Sequence, residues 1–269
     1  MSCENGIPGG AASTSTPAGA MAASGNYPSI KPAASTASNA EEVVRVMLEN
    51  GYPIEFAIGL AGVFAAESEI NPRAYNKQEK ADGYAYRNKH APDAKQFPYN
   101  GVNYYMDQAN MMKFGYGKGI AQWSWSRNLS FRDWYNGSGG SQYRRGGPAS
   151  IDTNAENIIE TTLAAQTGFA LYELNRRSGK LRQAIQEIRD NHTTPSQDEQ
   201  KFKANITKAV DAALRGFENG TEAAMASVSA IDGYTWAGGY EGSMKTRVGK
   251  AMGLYESFKK NGKFPEYLS

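Results

Sequence analysis

The sequence is poor in the side chains that most often hold metals. Its single cysteine, Cys3, cannot form an intrachain disulfide or a zinc ribbon, and its two histidines, His90 and His192, lie far apart and outside any H-E-x-x-H pattern. We therefore expect neither a metal centre nor another cofactor. Any catalysis would have to rely on carboxylates.

Long apolar runs and an excess of one charge are also missing. No segment approaches the roughly 18 apolar residues of a membrane span, and the N-terminus lacks the basic start and apolar core of a signal peptide. The 29 Lys and Arg residues nearly balance the 27 Asp and Glu residues, so no basic stripe is expected. We predict no stable membrane insertion and no nucleic-acid partner.

The first 40 residues differ in composition from the rest of the chain. Ala, Ser, Thr, Gly and Pro dominate residues 1–40, and such a segment buries too little apolar surface to offset the entropy lost on ordering. We predict a flexible arm over residues 1–40 and one folded domain over residues 41–269. A capping-box pattern from Ser38 to Glu41 marks the predicted start of the first helix.

A carboxylate is predicted at the end of the second helix. This helix should run from about Pro53 to near Ile70, because Pro72 disfavours helical geometry at the residue before it. Glu67 then lies in the last turn, where the helix dipole favours the protonated carboxylic acid that general-acid cleavage of a glycosidic bond requires. Glu69 flanks the other edge of the same apolar stripe, so periodicity does not choose between them, and an ordinary surface glutamate is the alternative for either.

Residues 71–115 are irregular and rich in tyrosine. The pairs Asp82-Gly83 and Asn100-Gly101 lie between aromatic segments, and such pairs favour tight hairpin turns. We therefore predict a small antiparallel β-lobe or ordered loops in this region.

Residues 115–123, called the glycine loop below, contain three alternating glycines followed by Gln122 and Trp123. Gly117 and Gly119 would let a ligand approach the backbone closely, while Gln122 and Trp123 supply hydrogen-bonding groups and a stacking face. A phosphate-binding loop does not fit, because neither the P-loop spacing nor a complete G-x-G-x-x-G is present. The simpler interpretation is a tight turn into a helix.

Aromatic residues cluster from the last residue of this loop onwards and include Trp123, Trp125 and Trp134. Such clustering is typical of core packing, although exposed aromatic faces also stack on the C–H faces of sugar rings. A groove lined by Trp123 or Trp125 is therefore the second interpretation. The rest of the chain is predicted to be helical, with a capping box at residues 153–156 and further helices near residues 181–190, 198–215, 222–230 and 244–260.

Four segments resemble those of phage tail lysozymes, which belong to the lysozyme superfamily. Residues 66–74 are similar to the E-S-x-x-N-P-x-A segment shared with lytic transglycosylases, and residues 115–123 to a G-x-G-x-x-Q-W loop. Residues 166–174 resemble a T-Q-L-x-F-L-x-Y-E-L helix, with an altered T-Q-L position. Residues 239–241 with Arg247 and Ala251 resemble a late F/Y-E…R…A signature. Their order over about residues 41–260 is far more specific than any single segment.

The resemblance implies a lysozyme-like α+β fold, predominantly α-helical, with a helical lobe and a small β-lobe flanking a glycan-binding groove. It also implies that Glu67, the glutamate directly before the serine, is the general acid. Gln122 corresponds to the residue that approaches the N-acetyl group of the sugar, with Trp123 beside it. The expected substrate-binding set is completed by Tyr116, Gly117, Gly119 and Trp125.

The second catalytic carboxylate does not follow from the resemblance, because the segment between Pro72 and Gly115 is longer than in compact family members. Asp82 is our candidate, since it is a carboxylate in the predicted β-lobe. Glu79 and Asp107 compete with it, and a solvated turn residue is the alternative for each.

The sequence thus predicts a tail-associated lysozyme of the virion. Acting in the host cell envelope during genome entry, this muramidase would cleave the β-1,4 bond between N-acetylmuramic acid and N-acetylglucosamine. Expected partners are the glycan strands of peptidoglycan and, through the arm, other phage tail or injection proteins. A lytic transglycosylase that forms 1,6-anhydro-muramyl products, and a non-catalytic structural or glycan-binding tail protein, are the alternatives.

Overall fold

A computed structural model describes residues 27–77, 80–81, 96–105, 107–176, 179–214 and 239–269. Within these ranges the chain is mostly helical and contains one two-stranded sheet, which confirms the predicted class and is consistent with a lysozyme-like fold. No helix in these ranges is both long and apolar enough to cross a membrane. The long helices are α1 (Ala34–Glu49), α2 (Ile54–Ser68), α3 (Ser126–Asn136), α4 (Leu163–Arg176), α5 (Gly179–Asp190), α6 (Pro195–Ala213) and α7 (Gly239–Lys260).

Short helical turns connect these elements. They cover Gln108–Asn110, Met111–Gly115, Ser141–Tyr143, Glu156–Glu160 and Pro265–Leu268. The helices predicted near residues 181–190, 198–215 and 244–260 correspond to α5, α6 and α7. The helix predicted near residues 222–230 lies outside the described residues.

Helix α2 forms the centre of the fold. It packs against α1, α5, α6 and α7, and every residue from Ile54 to Ala65 is buried. A helix that is apolar on all sides belongs in a core. Its last turn, residues 66–68, reaches partial exposure, so the core holds α2 firmly and presents its C-terminal end at the surface.

Two glycines let the neighbouring helices approach α2 closely. A Cβ atom added at Gly59 would lie 2.6 Å from the Cβ atom of Ala209 on α6. One added at Gly62 would lie 2.5 Å from the Cβ atom and 2.7 Å from the Cα atom of Ala251 on α7. The crossing of α2 and α7 therefore depends on the missing side chain at Gly62.

The first helix starts earlier than the sequence predicted. Helix α1 begins at Ala34, and Ser38, the predicted N-terminal cap, lies inside it. A tertiary contact occupies this region instead, because the Asn39 side chain donates a hydrogen bond to the carbonyl oxygen of Ile70 at 2.9 Å. Helix α1 therefore starts within the segment that was assigned to the arm, and the division into arm and domain stays a prediction. Residues 1–26 of the predicted arm lie outside the described residues.

The predicted hairpin is confirmed at Asn100-Gly101. Strands β1 (Gln96–Tyr99) and β2 (Val102–Tyr105) pair antiparallel. Asn100 and Gly101 have φ angles of 48° and 76°, as a two-residue turn with both central residues at positive φ requires. The other predicted turn, Asp82-Gly83, lies outside the described residues.

The start of α4 also differs from the prediction. The capping box predicted at residues 153–156 is wrong, since Asp152 rather than Thr153 accepts the backbone hydrogen bonds there. Its Oδ1 atom accepts from the backbone N–H groups of Asn154 at 2.8 Å and Glu156 at 3.2 Å. Only a short 3₁₀ turn follows, and α4 begins later, at Leu163.

Candidate functional site

Glu67 lies in the last turn of α2, as predicted, and the helix then ends in two left-handed residues. Glu69 and Ile70 both have a φ angle of 55°, a conformation that is unfavourable for side chains other than glycine and most of all for a β-branched one. Ile70 is fully buried, so its packing holds this turn. The chain therefore leaves the helix axis directly after Glu67 and Ser68.

The Glu67 carboxylate contacts a guanidinium group on α7. Arg247 Nη2 donates to Glu67 Oε1, and the two side chains are only 14% and 20% exposed. Arg247 precedes Ala251, which packs on Gly62, by one helical turn. Arg247 and Ala251 therefore both face α2. Within the described part of the chain, the other carboxylate oxygen of Glu67, Oε2, makes no hydrogen bond.

Glu69 occupies a different environment, although periodicity did not separate it from Glu67. Its side chain is 55% exposed and contacts Lys250, and it accepts a hydrogen bond of 3.2 Å from the Thr36 hydroxyl. Glu69 is thus a solvated carboxylate just beyond the helix, whereas Glu67 is held in a partly shielded ion pair.

The glycine loop folds back on itself as a tight hairpin-like turn. The backbones of Lys118 and Trp123 exchange two hydrogen bonds of 2.9 Å, and Gly119 N–H donates to the carbonyl oxygen of Ala74 at 2.8 Å. Gly119 has a φ angle of 71°, and an added Cβ atom would lie 2.5 Å from Gln166 Oε1. Both the backbone conformation and the available space therefore require glycine at this position.

Two side chains join the glycine loop to the segments around it. The Ser68 hydroxyl donates to the carbonyl oxygen of Ile120 at 2.9 Å. Gln166 on α4 is fully buried, accepts a hydrogen bond of 2.8 Å from Ile120 N–H and donates one of 2.9 Å to the carbonyl oxygen of Pro72. These bonds link the loop, the end of α2 and α4.

The structure corrects the role predicted for Trp123. This indole is fully buried, stacks on Phe131 with a centroid distance of 5.2 Å and meets the ring of Phe169 at 5.4 Å. Its Nε1 atom donates to Glu173 Oε2 at 2.7 Å, and Glu173 also accepts two hydrogen bonds from Arg127. Because its ring is enclosed, Trp123 is a core residue that anchors the loop and has no face open to a sugar.

The other predicted substrate-binding residues divide into buried and partly exposed ones. Tyr116 is only 3% exposed, and Gly117 and Gly119 are also buried, so the Tyr116 side chain has almost no surface open to a sugar. Gln122 and Trp125 keep part of their surface in solvent. The Gln122 amide donates to the carbonyl oxygen of Gly119 at 2.9 Å, so it folds over its own loop.

Of the three candidates for a second carboxylate, only Asp107 lies within the described residues. Asp82 and Glu79 lie outside them. Asp107 is exposed, and its Oδ1 atom accepts a hydrogen bond of 2.9 Å from Asn110 N–H. It thus caps the short helix Gln108–Asn110.

Sequence reasoning missed a buried lysine in the glycine loop. Lys118 has no exposed surface, its Nζ atom donates to the carbonyl oxygen of Lys113, and the same atom lies 4.2 Å from the ring centroid of Tyr116. Burial lowers the pKa of the Lys118 ammonium group to about 7, and the carboxylates of Glu156 and Asp152 only partly oppose this shift. A lysine between two glycines looks like a solvated loop residue, so the sequence carries no signal for it.

This lysine predicts a specific pH dependence of stability. Its pKa is about 7 in the folded protein and 10.5 as the ordinary value, so between these values the unfolded chain binds more protons and the free energy of unfolding rises with pH. Lys118→Met should reduce that slope by up to about 1.4 kcal/mol per pH unit. Urea unfolding at several pH values in this window measures the slope.

The control for this experiment is Lys77→Met, which removes a lysine whose side chain is exposed. Its slope should equal that of the wild type. Equal slopes in the wild type and in Lys118→Met would show that the buried amine does not titrate in this range.

Comparison with family models matches residues 38–256 of the chain to the family described as phage tail lysozyme. The match includes Glu67, the glycine loop, Gln166 and Arg247. Comparison with curated proteins and with solved structures gives no match.

Proposed function

The chain belongs to the phage tail lysozyme family, and on that premise we propose that it is a muramidase that cleaves the β-1,4 bond between N-acetylmuramic acid and N-acetylglucosamine. Family membership makes it a phage peptidoglycan hydrolase and points to the virion tail. The bond that it cuts, and its use during genome entry, are our proposal. Docking of the N-terminal arm on other tail or injection proteins stays a prediction.

The observation that carries the proposal is the convergence of four distant segments at the end of α2. Ser68 binds the glycine loop, Gln166 on α4 binds both that loop and the carbonyl oxygen of Pro72, and Arg247 on α7 binds Glu67. These contacts join residues up to 180 positions apart in the chain. An isolated surface glutamate would not need such support.

Glu67 acts as the general acid in the proposed reaction. Its carboxyl proton passes to the glycosidic oxygen while the bond from that oxygen to the sugar C1 breaks, and positive charge develops at the ring. Because Arg247 contacts Oε1, we assign proton delivery to Oε2. Water then adds to C1, and the carboxylate or a second group takes up the proton that the water loses.

The second group in this scheme is Asp82, which stays our candidate. It would stabilise the charged ring or orient the attacking water. A separation of about 5–5.5 Å between the two carboxyl groups would predict retention at C1, and one of about 6.5–9.5 Å would predict inversion.

A lytic transglycosylase is the second candidate, and one feature of the site favours it. Among the described residues Glu67 is the carboxylate at the point of convergence, whereas Asp107 is used as a helix cap. In a transglycosylase one carboxyl group serves first as acid and then as base, while the sugar's own C6 hydroxyl attacks C1 and closes an anhydro ring.

Mass spectrometry of digested peptidoglycan distinguishes these reactions. A muramidase produces reducing N-acetylmuramic acid ends, because each cleavage consumes water. A transglycosylase produces 1,6-anhydro ends, which are lighter by the mass of a water molecule. We expect reducing muramic acid ends. Anhydro ends or reducing N-acetylglucosamine ends would contradict the proposed bond and reaction, and an absence of products would support a non-catalytic tail protein.

A further inference from the structure

A concave site lies between the hairpin tip and helices α3 and α4. This pocket has a volume of about 690 Å³, within the range of small-ligand sites. Glu67 is not among its lining residues. Its walls include Tyr99 and Asn100 from the hairpin, Asp133 and Trp134 from α3, and Arg176 from the end of α4.

One acidic side chain in the pocket is already engaged in holding the hairpin. Asp133 Oδ2 accepts hydrogen bonds from the Tyr99 hydroxyl at 2.8 Å and the Asn100 amide at 3.0 Å. Its Oδ1 atom pairs with Arg132 Nε at 2.7 Å. Both oxygens thus have donors from the protein, and the charge is balanced.

The other acidic side chain is engaged in the core. Glu173 Oε1 accepts from Arg127 Nε at 2.9 Å, and its Oε2 atom accepts from Arg127 Nη2 at 2.8 Å and from Trp123 Nε1 at 2.7 Å. Its negative charge is therefore also balanced. Through the Trp123 side chain, this pocket wall is joined to the glycine loop.

Asp133, whose side chain is 37% exposed, shares the described pocket lining with one exposed basic residue, Arg176. Its guanidinium carbon lies 4.1 Å from the ring centroid of Tyr172, and the residue is exposed. Within the described part of the chain its N–H groups make no hydrogen bond. Stacking on an aromatic ring orients the planar guanidinium and leaves its edge free to bind a ligand.

The balance of these charges favours an anionic ligand. Among the described residues, Arg127 and Arg132 pair with the two acids, and Arg176 is the basic side chain of the lining that pairs with neither. The planar fork of a guanidinium matches a carboxylate through two parallel hydrogen bonds. A sugar fits less well, because Arg176 covers a face of Tyr172 and Trp134 is only 7% exposed, which leaves little ring surface for stacking.

We propose that this pocket binds the peptide that peptidoglycan carries, with Arg176 pairing with the terminal carboxylate of the peptide. The inference rests on the proposed function, which supplies the polymer. The hydroxyl of Ser138, which also lines the pocket, is available to a peptide group.

Isothermal titration calorimetry with the full chain tests this proposal. The probe is a synthetic pentapeptide with the sequence of a peptidoglycan stem, ending in D-alanyl-D-alanine, compared with its C-terminal amide. We expect the free acid to bind about tenfold more tightly than the amide, as one charge-assisted interaction implies. Arg176→Gln should abolish that difference. Arg45→Gln, which removes an exposed arginine on α1, should preserve it.

Equal binding of acid and amide by the wild type, or an unchanged preference in Arg176→Gln, would overturn the proposal. So would displacement of the peptide by a peptide-free N-acetylglucosamine oligomer, which would make the pocket a sugar site. The probe contains no glycosidic bond, so these affinities do not depend on cleavage. A failure of the proposed muramidase activity therefore appears in the digest assay alone.

Discussion

Glu67→Gln is expected to lower the rate of peptidoglycan cleavage by about 10³-fold, the effect of losing a general acid. The amide has nearly the shape of the carboxylic acid but cannot transfer a proton to the glycosidic oxygen. The rate is measured as the release of soluble muropeptides from purified cell walls. Because the substitution also removes the charge partner of Arg247, the unfolding midpoints in urea must be compared first.

Glu69→Gln is the matched control, since it makes the same chemical change two positions further along the chain. Glu69 lies beyond the helix, is 55% exposed and contacts Lys250, so its substitution should leave cleavage within about twofold of the wild type, as is usual for surface positions away from the chemistry. Loss of activity in Glu69→Gln with retention in Glu67→Gln would reverse the assignment.

Gly62→Ala is expected to destabilise the protein by about 2–3 kcal/mol, although helix propensity alone predicts a gain of up to about 1 kcal/mol. The added Cβ atom would lie 2.7 Å from the Cα atom of Ala251, far inside the roughly 3.5–4.0 Å contact distance of carbon atoms. Backbone atoms cannot rotate away, so α2 and α7 must separate. Urea unfolding measures the loss.

The same separation would shift Arg247 relative to Glu67, so cleavage should fall more than the folded fraction does. The double variant Gly62→Ala/Ala251→Gly relieves the contact between the two Cβ atoms but leaves the backbone contact, and it should recover part of the stability. A single variant as stable as the wild type would show that this crossing tolerates a larger separation.

Local signals in the sequence predicted the elements that short-range chemistry determines. Asn100-Gly101 supports positive φ at two successive residues and formed the predicted hairpin. Helix α2 begins beside Pro53 and ends within two residues of the predicted position. In these segments residues that favour a turn or a helix end stand at the boundary itself, so the local sequence was sufficient to predict it.

Both predicted helix caps failed, the first where a tertiary contact lies and the second because a neighbouring residue accepts the backbone hydrogen bonds. Ser38 has the residue type of a cap, yet α1 extends back to Ala34, and Asn39 binds the carbonyl oxygen of Ile70 from the far end of α2. The cap predicted at Thr153 did not form, because Asp152, one position earlier, accepts the backbone hydrogen bond there. A partner more than 30 positions away cannot be read from a local pattern.

The candidate site was only partly accessible from sequence for a similar reason. Periodicity left Glu67 and Glu69 equivalent, and the resemblance chose Glu67. The structure now distinguishes their surroundings through Arg247 and Lys250. Trp123 was expected beside a sugar but is enclosed by rings from α3 and α4, since the residue type does not tell which face is covered.

The most direct test of the role of Glu67 is a crystal structure of the Glu67→Gln variant with a bound peptidoglycan tetrasaccharide. The account predicts that the oxygen of the bond between N-acetylmuramic acid and N-acetylglucosamine lies about 3 Å from the side-chain amide at position 67, within hydrogen-bond reach. A glycan bound with that oxygen beyond hydrogen-bond reach of position 67 would contradict it.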